Sequence, residues 1–124
     1  MKHILIVDDA ATVRMYHRSI LESAGYAVDE AVNGMEALEK ALTSSYDLYL
    51  VDVNMPKLDG YAFVSRLRGQ EELAQSPALM ISTEAEASDQ NKAFEAGANA
   101  YLVKPTRPEK LLACVRVLLG ETLQ

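Results

Sequence analysis

The sequence predicts an α/β fold in which a doubly wound, parallel five-stranded sheet carries helices on both faces. Three observations predict it. Five short apolar runs alternate with stretches whose apolar residues recur at helical spacing. Strands joined through helices make right-handed crossovers, which set neighbouring strands parallel. The runs themselves, such as Leu50-Val51 and Leu79-Met80-Ile81, lack the polar alternation of a half-exposed strand, as expected where both faces are covered.

Taken in order, Ile4 to Val7 is the first strand. Val13, Tyr16, Ile20, Leu21 and Ala24 then form one face of a helix that Gly25 ends. After a second strand, Ala27 to Val32, Asn33 caps the next helix with Glu36 at capping-box spacing, and Met35, Leu38 and Leu42 form its stripe. Leu48 to Val53 is the third strand, and Asp59-Gly60 opens a helix carrying Phe63, Val64 and Leu67. The fourth strand, Ala78 to Ile81, precedes a weakly apolar helix from Ala87 to Ala96 that stops at Gly97. Following the fifth strand, Ala100 to Val103, the last helix starts with Thr106 three residues before Glu109, with Pro108 in its first turn. It carries Leu111, Leu112, Val115, Leu118 and Leu119 and stops near Gly120.

Composition narrows the function classes. At 124 residues the chain is read as one domain, residues 1–124, large enough to bury a core without staples. Twelve basic against 18 acidic residues leave a net charge of −6, which argues against nucleic acid or an anionic membrane as partner. The single cysteine, Cys114, excludes an internal disulfide and a cysteine-based zinc site, and it reads as a small packing residue. No apolar run approaches the roughly 18 residues of a membrane span. The start of the chain reaches Asp8 and Asp9 before it can become a signal peptide, so a cytoplasmic, monomeric protein is expected.

In doubly wound sheets the site lies beyond the carboxyl ends of the strands. Asp8 and Asp9 follow the first run; Asp52 and then Asn54 stand at the end of the third. Ser82, Thr83 and Glu84 follow the fourth, and Lys104-Pro105 the fifth. Singly, Asp8 or Asp9 reads equally well as a helix cap. Together, three carboxylates on one rim repel: a pair at about 4 Å costs on the order of 4 kcal/mol at an effective dielectric near 20. A hard divalent cation removes that cost, and Mg²⁺ suits a few carboxylates, a backbone carbonyl and phosphate oxygens. Lys104, its backbone restricted by Pro105, and the Ser82 hydroxyl stand opposite, so that the rim embraces a phosphoryl group. Asp52, in the middle, is the natural nucleophile and would form an aspartyl phosphate.

These residues, in this order, resemble one family over essentially the whole chain. Asp8-Asp9, Asp52, Asn54-Met55-Pro56, Asp59-Gly60, Ser82 and Tyr101-Leu102-Val103-Lys104-Pro105 are similar to the receiver domains of two-component response regulators. The resemblance implies the flavodoxin-like strand order 2-1-3-4-5. It implies that Asp52 accepts a phosphoryl group from a phosphohistidine on a histidine kinase or phosphotransfer protein. It further implies Mg²⁺ held by Asp9, Asp52 and the Asn54 carbonyl, with Asp8 on a metal-bound water. Lys104 would pair with the phosphate, Ser82 would move to hydrogen-bond it, and Tyr101 would turn inward behind Ser82. Driving such a switch from 1:99 to 99:1 takes about 5.5 kcal/mol. One or two charge-assisted bonds supply about half of that, so a partner is expected to complete the switch.

The chain departs from the family pattern in places. Ser82 replaces the commoner threonine, and Thr83 stands where Ala or Gly is usual, which is expected to crowd access to Asp52 and slow phosphotransfer or dephosphorylation. Thr106 stands where an aromatic often follows the Lys-Pro pair. Glu84 reads equally well as an influence on water access to the phosphate and as a plain surface glutamate, His17 as a solvated surface histidine, Met35 and Met80 as core, and Met55 as a loop residue. With four residues after Gly120, output is expected through protein contact, most like chemotaxis-type stand-alone regulators acting on a flagellar motor switch. A phosphate sink, a relay intermediate and a receiver cut from a longer chain are the alternatives. In another class, a dehalogenase-type phosphatase would need an acid two residues after Asp52, where Asn54 stands. A flavin carrier would need a phosphate loop where Asp8-Asp9 repels phosphate.

Overall fold

The computed structural model describes residues 1–73 and 75–121. Strands and helices alternate throughout: β1 (His3–Val7), α1 (Ala11–Ser23), β2 (Ala27–Ala31), α2 (Gly34–Thr43), β3 (Leu48–Asp52), α3 (Gly60–Gly69), β4 (Ala78–Ser82), α4 (Ala87–Ala96), β5 (Ala100–Val103) and α5 (Pro108–Leu118). All strand pairs are parallel and the order is β2-β1-β3-β4-β5, as the resemblance implied. Among the described residues no helix is long and apolar enough to cross a membrane.

Side-chain alternation along the strands divides the interior in two. Ile4, Ile6, Leu48, Leu50, Leu79 and Ile81 face Leu21 of α1 and Leu111 and Val115 of α5. Their neighbours Leu5, Val7, Tyr49, Val51, Ala78 and Met80 face α2, α3 and Ala93 of α4. Both faces are covered, so β3 and β4 are buried at every residue, which is why their sequences stay apolar up to the Asp52 and Ser82 that end them.

The helix signals act much as the sequence predicts, with three corrections. Gly25, at φ +94°, ends α1 in a Schellman motif: Tyr26 N–H donates to the Leu21 carbonyl at 3.2 Å and Gly25 N–H to that of Glu22 at 3.0 Å. Asn33 accepts from Glu36 N–H at 2.9 Å, but the Glu36 carboxylate returns to Val32 N–H at 3.2 Å, one residue before the cap. The first correction concerns α2, whose buried side runs through Gly34, Ala37, Leu38 and Ala41; Met35 and Leu42, read as part of the stripe, are exposed on its flank. The second concerns α1, which buries His17 and leaves Tyr16 partly in solvent. The third concerns α5: its N-cap is Arg107, with Pro108 next, and Thr106 lies outside the helix with its hydroxyl turned to His17. Met80 is core, as expected, and Cys114 on α5, read as a packing residue, is half-buried against the core cluster that α5 covers.

Gly60 places the site most directly. Asp59 caps α3 by accepting from Ala62 N–H at 2.8 Å, and Gly60 N–H donates to the Val53 carbonyl at 2.9 Å. A Cβ on Gly60 would overlap the Asp52 carbonyl oxygen and stand 2.8 Å from the terminal methyl of Met80. Backbone cannot yield as a flexible side chain does. Gly60→Ala is therefore expected to cost more than about 2 kcal/mol in urea unfolding. Gly69→Ala, where a Cβ meets nothing within 4 Å, is expected to be neutral or to stabilise by up to about 1 kcal/mol.

Candidate functional site

Parallel strands bring their carboxyl ends to one edge of the sheet, and the sequence places its acids there. Asp8 follows β1 directly and Asp52 is the last residue of β3; the registers Val7↔Val51 and Asp52↔Ile81 bring β1, β3 and β4 level. Asp8 and Asp52 are buried while Asp9 is exposed. One carboxylate oxygen from each lies within 4.8 Å of the others. Lys104, one residue past β5, extends its ammonium between two of them, 2.8 Å from Asp52 Oδ1 and 3.2 Å from Asp8 Oδ2. Its backbone N–H donates to the Ser82 carbonyl at 2.7 Å, which continues the β4–β5 ladder to the edge of the site.

The charges do not balance. Burial raises the proton affinity of Asp52; Asp8 and Asp9 add to the rise, and the Lys104 hydrogen bond offsets only part of it. Burial alone would lower Lys104, but its bonds to Asp52 and Asp8 outweigh burial and hold it above the usual lysine range. Burial leads the Asp52 shift, while the excess of carboxylates over the one ammonium adds to it and raises Lys104. The donor set is all hard oxygen with negative charge to spare, which fits Mg²⁺ on Asp8, Asp9 and Asp52. Asn54, given the metal-ligand role through its carbonyl, is exposed in the β3–α3 loop two residues beyond Asp52. That loop is drawn tight where Leu58 N–H donates to the Pro56 carbonyl at 2.8 Å across Lys57, whose φ of +68° is unusual for a side chain with a Cβ.

On the other flank, Ser82 is fully buried and its hydroxyl accepts from Glu84 N–H at 3.0 Å. The Glu84 carbonyl in turn accepts from the Tyr101 hydroxyl at 2.7 Å. Tyr101 is half-buried, and Thr83 and Glu84 are exposed. Thr83 lines a groove with Pro105 and with Lys104, whose ammonium is bonded to Asp52. Asp8, Asp9, Asp52, Ser82 and Lys104 thus gather on this rim, with Thr83, Glu84 and Tyr101 at its margin, while Asn54 lies in the loop beyond Asp52.

Other contributors carry no sequence signal of their own. Arg14 Nη1 donates to the Asp8 carbonyl at 2.8 Å while its Nε donates to Glu30 at 2.8 Å, and Arg18 holds the other Glu30 oxygen at 2.6 Å. This braces the Asp8-Asp9 turn from β2. The backbone of Glu84 joins Ser82 to Tyr101. His17, read as a surface residue, is 3% exposed, with Nε2 3.1 Å from Thr106 Oγ1. An arginine or histidine on a helix is usually solvated, and only the fold turns these inward.

An acid whose folded proton affinity is raised makes its charged form a cost to the folded state. That cost is present at neutral pH and is relieved as pH falls through the raised value. Asp52→Asn is therefore expected to melt at least about 3 °C above the parent at pH 7, with the gain shrinking towards pH 4. Added Mg²⁺ is expected to stabilise the parent, by about 2.7 kcal/mol at a hundred times its dissociation constant, and the variant less. Thermal melts across pH and Mg²⁺ concentration check both.

Comparison with known proteins agrees with this geometry. Residues 4–116 match the family model described as the response regulator receiver domain. The chain is 40% identical over 121 residues to the transcriptional regulatory protein ResD of Bacillus subtilis, covering 98% of this chain and 49% of that protein. It thus spans about half the length of that curated relative. The chemotaxis protein CheY4 of Vibrio cholerae has a similar structure, with TM-score 0.90 and 37% identity over 95% of this chain and 98% of that one. A sensor histidine kinase receiver domain from Pseudomonas aeruginosa, described with a magnesium ion coordinated in the active site cleft, gives TM-score 0.89 and 30% identity, covering 97% of this chain and 98% of that chain. By sequence, by strand order and by the acidic rim at the strand ends, this chain belongs to the response regulator receiver domain family.

Proposed function

We propose that Asp52 is the phosphoacceptor of this receiver domain, and the observation that carries the reading is the Lys104 ammonium held 2.8 Å from Asp52 and 3.2 Å from Asp8. A carboxylate oxygen of Asp52 attacks phosphorus of a phosphohistidine on a kinase or phosphotransfer protein. The new O–P bond forms as the P–N bond breaks, and its electron pair leaves with the imidazole nitrogen. Asp9, Asp52 and the Asn54 carbonyl would hold Mg²⁺, with Asp8 on a metal-bound water, and the ion would supply charge neutralisation for the phosphoryl oxygens. Lys104 turns from its carboxylates to the phosphate, a site preorganised by its place between two acids. The domain is a signalling phosphoacceptor that promotes its own phosphorylation and dephosphorylation.

Phosphorylation adds roughly −1.5 to −2 charges and three acceptor oxygens at the end of β3. The Ser82 hydroxyl then has a stronger partner than the Glu84 N–H it now accepts from, and it can donate to the phosphate. Releasing Glu84 N–H frees the backbone that Tyr101 grips, so the signal passes from Ser82 to Glu84 to Tyr101. This makes the β4–α4 loop the bistable element.

Downstream, we read the output as contact with another protein in the cytoplasm. Likeness to CheY4 along nearly its whole length supports a chemotaxis or motility role, with a flagellar motor switch as target. The half-length match to a transcriptional regulator supports the second reading, a receiver joined to an output domain. A phosphate sink or relay role shares the same chemistry. Trapping the phosphorylated form and identifying what it binds separates these.

Acetyl phosphate with Mg²⁺ is expected to add one phosphoryl group per chain, seen by intact mass spectrometry, and Asp52→Asn to abolish it; label persisting in that variant would remove Asp52 from the role. Thr83→Ala is expected to speed phosphorylation or decay of the phosphorylated state, and unchanged rates for both steps would remove the crowding argument.

A further inference from the structure

Thr106 is an exception on this surface. It sits two residues beyond Lys104, outside any helix, and yet is only 5% exposed. Consecutive residues of α1 grip it from both sides of its polarity. Tyr16 Oη donates to the Thr106 backbone carbonyl at 2.6 Å, and His17 Nε2 lies 3.1 Å from the Thr106 hydroxyl. His17 is itself 3% exposed and has no place in the phosphoryl chemistry. Burial, with the Lys104 charge adding to it and Asp8 opposing, lowers its proton affinity, so the ring pairs with the hydroxyl as a neutral imidazole.

Thr106 is buried on one side only: a groove of about 370 Å³ opens beside it, with His17, Thr83, Lys104, Pro105 and Thr106 among its lining residues. The segment from Lys104 to Thr106 is therefore fixed at its ends by hydrogen bonds: Lys104 N–H to the Ser82 carbonyl at 2.7 Å on one side, the α1 contacts on the other. Contacts between α1 and α5 are otherwise made well below the rim, through Leu21, Leu111 and Val115. Directed bonds fix a short segment to tenths of an ångström where an open groove permits drift.

We propose that His17 is a positioning residue which, through the Thr106 hydroxyl, sets where the Lys104 ammonium stands relative to Asp52. The inference rests on the phosphoacceptor reading above. Its consequence is kinetic: the pair governs how fast Asp52 is phosphorylated without touching phosphate or metal. Mg²⁺ affinity is set by the carboxylates and the Asn54 carbonyl, none of which is hydrogen-bonded to His17 or Thr106, so a small shift of the Lys104 ammonium between Asp8 and Asp52 changes it little.

The test compares His17→Leu and Thr106→Val, which remove the bond with similar bulk, with His17→Gln and Thr106→Ser, which keep a polar partner. Each is scored for phosphorylation rate with acetyl phosphate and for Mg²⁺ affinity by calorimetry. His17→Leu and Thr106→Val are each expected to slow phosphorylation by about tenfold, inside the roughly hundredfold that a misplacement of about 1 Å costs. Mg²⁺ affinity is expected to stay within about twofold, His17→Gln and Thr106→Ser to recover most of the rate, and the double variant to be no slower than either single one. A purely structural role would move Mg²⁺ affinity together with rate, and the conservative variants would not separate from the disruptive ones; either result overturns the proposal. Normal rates in Thr106→Val and His17→Leu, with the parent phosphorylated at Asp52, overturn it alone. A parent that takes no label overturns the phosphoacceptor reading and this inference with it.

Discussion

One ammonium facing three carboxylates is the constraint around which this molecule is arranged. Topology brings Asp8, Asp9 and Asp52 to within 4.8 Å, and Lys104 compensates only part of their charge. Such a concentration of like charge opposes folding, and in a chain of net charge −6 nothing distant relieves it. The structure tolerates it because the strands that end there are buried along both faces, and their apolar burial outweighs a local electrostatic cost. Burial first, and then the same surplus of negative charge, raises the proton affinity of Asp52; the surplus also raises that of Lys104 and leaves the rim suited to a divalent cation. Strain of this sort is kept where chemistry needs it.

Around that centre the supports are unequal. On the β1 side, Glu30 ties Arg14 and Arg18, and Arg14 reaches the Asp8 carbonyl, so the acidic turn is braced by a charged network. On the β3 side, Gly60 lets α3 come against the Asp52 backbone, leaving no room for movement. The β4–α4 side is looser: the Ser82 hydroxyl is held by one bond, from Glu84 N–H, and α4 buries only Ala93. An element with so little buried surface has a low free energy of local opening. A charge change at Asp52 is thus absorbed by the softest wall of the site, and the adjoining α4 surface is where a partner would sense it.

Much of this was legible in the sequence, for a definite reason. A strand buried on both faces must be apolar until it leaves the sheet, so the first polar residue marks the strand end, and in a parallel sheet the strand ends are the site. Asp8, Asp52, Ser82 and Lys104 could therefore be located before any coordinates. The α4 span from Ala87 to Ala96 coincides with the structure because Gly97, at φ +110°, ends it decisively. What failed were the faces of α1 and α2 and the start of α5, where the cap is Arg107 and not Thr106. Spacing shows that a helix has an apolar side but fixes its rotation only to within a residue, and the small residues Gly34, Ala37 and Ala41 let α2 turn Met35 and Leu42 outward.

The sequence by itself determined the element order, the parallel sheet, the residues at the strand ends and the family they belong to, since each depends on local pattern or on motifs in register. Tertiary structure alone decided which polar side chains turn inward. His17 and Thr106 are 89 positions apart, Arg14 and Glu30 16, and Lys104 and Asp52 52, so only folding makes them neighbours. Polar pairing needs both partners, and periodicity carries no record of a partner on another element. That is why a histidine read as solvated turns out buried against the segment that carries Lys104.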